Sequence, residues 1–162
     1  MISVVIATKD HERTLGQVLG ALVPAAVDGL VRQVIVADGG SIDSTLDIAL
    51  DSGADVLELS GPAEARLAQA CAKARGDWLL ILDPEVVPPP GWVAATRAHI
   101  DRTPDRAAWF APGRGGLLGG PPKAHGLLLP RTRLEAAGGY GPGLIRKLGG
   151  KLERLKPVRD GL

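Results

Sequence analysis

The sequence predicts an α/β protein with a doubly wound, mainly parallel sheet. Three observations carry that reading. Four short apolar runs, at residues 3–7, 31–37, 54–59 and 78–82, alternate with stretches of helical period, the pattern of βαβ units. The run Trp78-Leu79-Leu80-Ile81-Leu82 is apolar throughout and bounded by Gly76-Asp77 and Pro84, as expected of a strand covered on both faces. Polar clusters follow three of the runs directly, and in open α/β sheets ligands sit at the carboxyl ends of strands.

The elements follow in order. Residues 3–7 form the first strand, and Thr8-Lys9-Asp10-His11 is the loop leaving it. Asp10 is placed to cap a helix whose apolar positions are Leu15, Val18, Leu19 and Leu22, with Pro24 stopping it. The second strand, 31–37, runs into Asp38-Gly39-Gly40-Ser41-Ile42-Asp43. A helix from about Ser44 to Leu50 offers Leu46, Ile48, Ala49 and Leu50 to the core. The third strand, 54–59, precedes an alanine-rich helix over 62–74 with Pro62 in its first turn. After the fourth strand, Pro88-Pro89-Pro90 leads into a helix over 91–100, with His99 on its surface.

Beyond Pro104 the texture changes. A short strand at 107–110 is followed by a Gly- and Pro-rich stretch, 112–122, of the kind that is functional or mobile inside a domain. A strand at 126–129, a helix at 131–137 and a Gly138-Gly139-Tyr140 turn come next. The organisation is therefore one domain, 1–140, in two parts (1–100 and 101–140), with a basic tail at 141–162. In the tail Leu144, Ile145, Leu148, Leu152 and Leu155 share one helical face, and basic residues far outnumber Glu153 and Asp160. Such a helix can lie on an anionic membrane surface, or simply pack on the domain with solvated lysines.

The totals bound function as much as fold. A net charge of +1 gives no argument for nucleic-acid binding. Cys71 is a single cysteine and reads as a buried structural thiol. No run approaches a membrane span of about 18 apolar residues. The first residues lack a basic leader, so a cytoplasmic location is expected, with peripheral contact at the inner membrane face if the tail binds lipid. No Gly-x-Gly-x-x-Gly follows a strand, which argues against nicotinamide binding.

Three loops at strand carboxyl ends, 8–12, 38–43 and 83–85, are expected to line one crevice. Asp83 and Glu85 flank Pro84, and two hard oxygen donors so spaced suit Mg²⁺ or Mn²⁺ bound together with phosphates; the plain alternative is a polar turn. Asp38 can accept from a base N–H or a ribose hydroxyl, while Gly39 and Gly40 permit close approach of a ligand. Asp43 is better read as a helix cap. Arg66 can reach a phosphate, or stand on the surface. His125 precedes a strand and is a weak candidate for a base or metal ligand; His11 is an equally weak nucleotide contact.

Three motifs now carry a resemblance: Ser-Val-Val-Ile-Ala-Thr-Lys-Asp, Val-Ile-Val-Ala-Asp-Gly-Gly-Ser-Ile-Asp-Ser-Thr, and Ala-Arg-Gly-Asp-Trp-Leu-Leu-Ile-Leu-Asp-Pro-Glu. In this order they resemble the family 2 glycosyltransferases of GT-A fold. The likeness extends over residues 2–92, and more loosely over 125–140 through Gly126-Leu127-Leu128-Leu129-Pro130-Arg131 and Ala137-Gly138-Gly139-Tyr140. It implies a transferase taking a sugar from a nucleotide-diphosphate donor, a UDP-sugar first among them, to an acceptor the sequence does not name. Thr8, Asp10, Asp38, Gly39 and Arg66 would serve the nucleotide, and Asp83 and Glu85 a divalent Mg²⁺ or Mn²⁺. Departures from the family pattern are Ala7 for proline, Asp10-His11 for Asn-Glu, and Asp-x-Glu for Asp-x-Asp. The family also places an acidic base soon after the turn at Tyr140, yet residues 141–150 contain no carboxylate. That gap keeps open a non-catalytic relative that binds a nucleotide or nucleotide sugar as a regulator or scaffold.

Overall fold

The structure, a computed structural model, describes residues 1–110, 126–148 and 152–155. Its frame is a seven-stranded sheet built from β1 (Ile2–Thr8), β2 (Val31–Asp38), β3 (Asp55–Glu58), β4 (Trp78–Leu82), β5 (Ala108–Phe110), β6 (Gly126–Pro130) and β7 (Glu153–Leu155). The spatial order is β3-β2-β1-β4-β6-β5-β7. β1 pairs in parallel with both β2 and β4, and β6 runs antiparallel to β4 and β5. The chain winds outward from β1 to β3 and then returns to place β4 on the other side of β1. That reversal opens a crevice at the carboxyl ends of β1 and β4.

All seven residues of β1 and all five of β4 are buried, because helices cover both faces. One face packs under α1 (Glu12–Gly20), α2 (Val23–Val27), α3 (Thr45–Asp51) and α5 (Trp92–Arg102), through Leu15, Val18, Ala25, Ala49 and Trp92. The other packs under α4 (Ala63–Lys73), α6 (Arg131–Ala136) and α7 (Leu144–Lys147), through Ala70, Cys71, Leu134 and Leu144. With few aromatics available, the core is made of interleaved Ala, Val, Leu and Ile. β4 begins where Gly76 passes β1: a Cβ there would lie 2.5 Å from the Ser3 backbone nitrogen, so glycine is required by close approach.

Several sequence expectations are corrected. Pro24 does not stop the first helix; α1 ends at Gly20 and Pro24 sits in the first turn of α2, where its missing N–H costs nothing. Leu50 is exposed rather than in the core. The tail is not one amphipathic helix. Helix α7 stops at Lys147, and residues 153–155 form β7, parallel to β5 with Phe110 opposite Leu155. The exposed edge of β5 needs hydrogen-bond partners, and a strand supplies them where a helix cannot. Leu144 and Leu155 are buried and Leu148 and Leu152 pack on the core, so four of the five apolar residues assigned to a lipid-facing stripe point into the domain; Ile145 is exposed.

His99 is likewise not on the surface but fully buried. Its Nε2 lies 2.8 Å from the Arg106 carbonyl oxygen, its Nδ1 3.4 Å from a Glu153 carboxylate oxygen, and its ring meets Trp78 edge-on at 6.0 Å. The strand that covers it is far away in sequence, which is why helical period alone misplaces it. Among the described residues no helix is long and apolar enough to cross a membrane.

Candidate functional site

The carboxyl ends of β1 and β2 are joined by a dense set of bonds. The Thr8 hydroxyl donates to Asp38 Oδ1 at 2.8 Å, and the Ser41 hydroxyl donates to the same oxygen at 2.5 Å. The other Asp38 oxygen accepts the backbone N–H groups of Gly40 and Ser41 at 2.9 and 2.8 Å. Both Thr8 and Asp38 are fully buried. Burial acts to raise the Asp38 pKa, but the bonds from Ser41, Thr8 and Gly40 outweigh it and hold the carboxyl below its usual range. An unfolded aspartate titrates near ~3.9, so ionised Asp38 adds stability above that pH and loses it as pH falls through the lower folded value. We expect the stability advantage over Asp38→Asn in urea unfolding to be constant from about pH 5 to 8 and to shrink below about pH 4. An advantage that persisted unchanged in acid would refute this role for the carboxylate.

Asp10 does not cap α1. It takes a left-handed backbone with φ 56°, and its carboxylate accepts the Ile42 N–H at 2.8 Å while its own N–H donates to Ser41 Oγ at 2.9 Å. The residue preceding α1 is His11, whose Nδ1 accepts the Lys9 N–H. Asp43 does serve helix starts, as its sequence position indicates. One oxygen accepts the Thr45 N–H of α3 and the other the Glu12 N–H of α1, at 2.9 and 3.1 Å. Glu12 answers by accepting the Ser44 N–H. The 8–12 and 38–45 loops are thus stapled together before any ligand arrives.

Arg66 stands on α4 but is buried, not on the surface. Nη1 donates to the carbonyls of Thr8 at 2.5 Å and Ala37 at 2.7 Å, and Nε donates to Gly61 at 3.2 Å. Gly39 lies against it: a Cβ there would be 2.7 Å from the guanidinium carbon. The glycine therefore makes room for an arginine of the protein itself.

Beside this platform a cavity of about 510 Å³ opens between Ala7 of β1, Leu82-Asp83-Pro84 after β4, Glu64 and Leu67 of α4, Leu127 of β6, and the Tyr140–Ile145 segment. The Glu85 N–H donates to Asp83 Oδ1 at 2.8 Å, bending the chain at Pro84. Among the described residues, the other Asp83 oxygen and both Glu85 oxygens accept no hydrogen bond. Among those residues no cluster of three His, Cys, Asp or Glu forms. Two hard carboxylates with open positions fit a Mg²⁺ or Mn²⁺ that completes its shell with water and phosphate oxygens.

Of the sequence's candidates, Asp83 lines the cavity and Glu85, two residues on, is exposed outside its lining, while Thr8, Asp38, Gly39 and Arg66 gather at the carboxyl ends of β1 and β2 with Asp10 in the adjoining loop. His125 and the 112–122 stretch lie outside the described residues. Glu64 is the lining residue that the sequence motifs do not point to, since an acidic residue in a helix's first turn is ordinary. Cys71 is buried, its thiol pushed up to about 12 by burial, and is inert as expected.

A mixed α/β sheet whose strand order reverses between β1 and β4, with an Asp-Pro-Glu turn at the switch point, is the GT-A glycosyltransferase architecture. Residues 3–141 match the family described as glycosyl transferase family 2, and the chain belongs to that family. A glucosyl-3-phosphoglycerate synthase of Mycolicibacterium paratuberculosis is 37% identical over 98 residues, covering 54% of this chain and 29% of that protein. The chain thus matches under a third of that relative's length. The structure is similar to glucosyl-3-phosphoglycerate synthase of Mycobacterium tuberculosis in complex with Mn²⁺, UDP and glucosyl-3-phosphoglycerate, at TM-score 0.69 and 24% identity, covering 95% of this chain and 68% of that one. It is also similar to residues 1–349 of S. aureus TarS in complex with UDP-GlcNAc, at TM-score 0.73 and 18% identity, covering 87% and 48%.

Proposed function

We propose that this chain binds a nucleotide-diphosphate sugar, a UDP-sugar first among them, with a divalent cation and transfers the sugar to an acceptor. The observation that carries this is the Asp83-Pro84-Glu85 turn, with carboxylate oxygens unclaimed by the described residues, at the mouth of the cavity between β1 and β4. The two relatives' complexes with UDP and UDP-GlcNAc support the same donor class.

In this reading the stapled 8–12 and 38–45 loops receive the base and ribose. Thr8 and Asp38 have their side-chain polar atoms committed to each other and to Ser41, so they act by holding the rim in shape. Asp10 fixes the outer turn, and Gly39 and Arg66 hold the strand ends that flank the diphosphate. Asp83 and Glu85 hold the cation, which when bound would neutralise charge gathering on the departing diphosphate. The apolar walls, Leu67, Ile81, Leu82 and Leu127, exclude water from the transferred sugar.

The test is thermal unfolding with UDP, GDP, CDP and dTDP, each with and without Mn²⁺. A ligand at a hundred times its dissociation constant stabilises by about 2.7 kcal/mol, which for this size is a rise of roughly 5–10 °C. A rise with UDP that depends on Mn²⁺ is expected. No rise with any of the four in the presence of Mn²⁺ would refute the donor site.

A further inference from the structure

A sugar acceptor attacks through a hydroxyl, and that hydroxyl must lose its proton to something as the new bond forms. Residues 141–150, directly after Tyr140, have no carboxylate to take it. The fold brings one from elsewhere: Glu64, on the first turn of α4, lines the same cavity as Asp83 and Tyr140. Asp83 and Glu64 are the two carboxylates among the lining residues, and Asp83 belongs to the cation turn. Among the described residues Glu64 makes no ion pair and accepts no hydrogen bond, and no Lys, Arg or His lines the cavity. Nothing described there holds its oxygens away from an incoming hydroxyl.

Tyr140 supports the placement. Its hydroxyl finds no hydrogen-bond partner among the described residues. Burial raises its pKa, with smaller contributions from Cys71 and from Glu64, which lines the same cavity. The phenol therefore stays protonated near neutrality and is suited to donating a hydrogen bond, not to taking a proton.

We propose that Glu64 is the catalytic base: it accepts the acceptor's hydroxyl proton in the cavity that Tyr140 also lines. This rests on the donor reading above. In the step, the acceptor oxygen's electron pair forms the bond to the anomeric carbon of the sugar. The bond from that carbon to the diphosphate oxygen breaks, its electron pair leaves with the nucleoside diphosphate, and the proton goes to the Glu64 carboxylate.

Water can stand in for the unidentified acceptor, so the test is slow release of UDP from UDP-glucose and UDP-GlcNAc with Mn²⁺, read beside the UDP thermal shift. Glu64→Gln is expected to lower release 10²- to 10⁴-fold, the usual contribution of a general base, and to leave the Mn²⁺-dependent UDP shift unchanged. Glu64→Ala should be slow in the same way and regain rate when formate is added, because a free carboxylate can occupy the vacated space. Release by Glu64→Gln within about threefold of the parent, or no release by the parent from either donor while the UDP shift holds, overturns the assignment and leaves the donor reading standing. Loss of the UDP shift in the parent chain would instead sink the donor reading itself.

Discussion

Asp83→Ala is expected to remove the Mn²⁺-dependent part of UDP stabilisation entirely, a loss of about 2.7 kcal/mol at a hundredfold excess over the parent's dissociation constant. The size follows from charge. In the proposed site two carboxylates and the diphosphate would share one cation, so removing a ligand would also remove a negative charge from its shell. Asp83 also accepts the Glu85 N–H, so alanine loosens the turn as well, at a net cost of about 1 kcal/mol. Asp83→Asn separates the two effects. It keeps an oxygen for the Glu85 N–H but carries no charge, so unliganded stability should stay near the parent's while the Mn²⁺ effect disappears. Glu85→Ala should weaken the effect less, because Glu85 is exposed and outside the cavity lining. Thermal unfolding across a Mn²⁺ and UDP titration measures all three variants. An Asp83→Asn chain that kept the full Mn²⁺-dependent shift would remove the cation from this turn.

Arg66→Met should cost about 3 kcal/mol or more in urea unfolding. Its guanidinium serves the carbonyls of Thr8, Ala37 and Gly61 at once. Hydrogen bonds to charged groups contribute about 1.5–3 kcal/mol each, and carbonyls left without donors in the interior keep their desolvation cost. Methionine restores the aliphatic stem but no donor. Gly39→Ala attacks the same contact from the other side. Its Cβ would lie 2.7 Å from the guanidinium carbon, and that group is pinned by its three carbonyls, so a cost of about 1–3 kcal/mol is expected. In the double variant the methionine can move away from the new methyl group. The two costs should then fall short of additive by about 0.5–3 kcal/mol. Additivity within about 0.5 kcal/mol would mean that Gly39 is required for another reason.

The Asp-Pro-Glu turn was legible because its signal is local. An unbroken apolar strand ending in Asp-Pro-Glu states both burial and direction, and β4 is found over Trp78–Leu82 as read. The alternation of short apolar runs with stretches of helical period made the parallel βαβ half legible for the same reason. Arg66 was not legible, because whether an arginine in an alanine-rich helix faces solvent or a strand end depends on what packs against that helix. Glu64 was hidden by its ordinariness: an acidic residue early in a helix satisfies a local rule, and its place at the cavity comes from how α4 is set against β1 and β2.

The tail shows the limit most plainly. Leu144, Leu148, Leu152 and Leu155 keep helical spacing, yet Leu155 ends in a strand. Periodicity reports which residues seek burial; it does not say which partner will bury them. The open edge of β5, contributed by residues more than 40 positions away, made strand pairing the better solution there. The sequence by itself determined the α/β class, the order of the first four strands and the position of the carboxylate turn. These depend on neighbours within a few residues. Only the tertiary structure decided the sheet's reversal at β1 and β4, the burial of Arg66 and His99, the strand made from the tail, and the placing of Glu64 and Tyr140 along one cavity. Each of those depends on contacts between segments whose separation along the chain leaves no periodic trace.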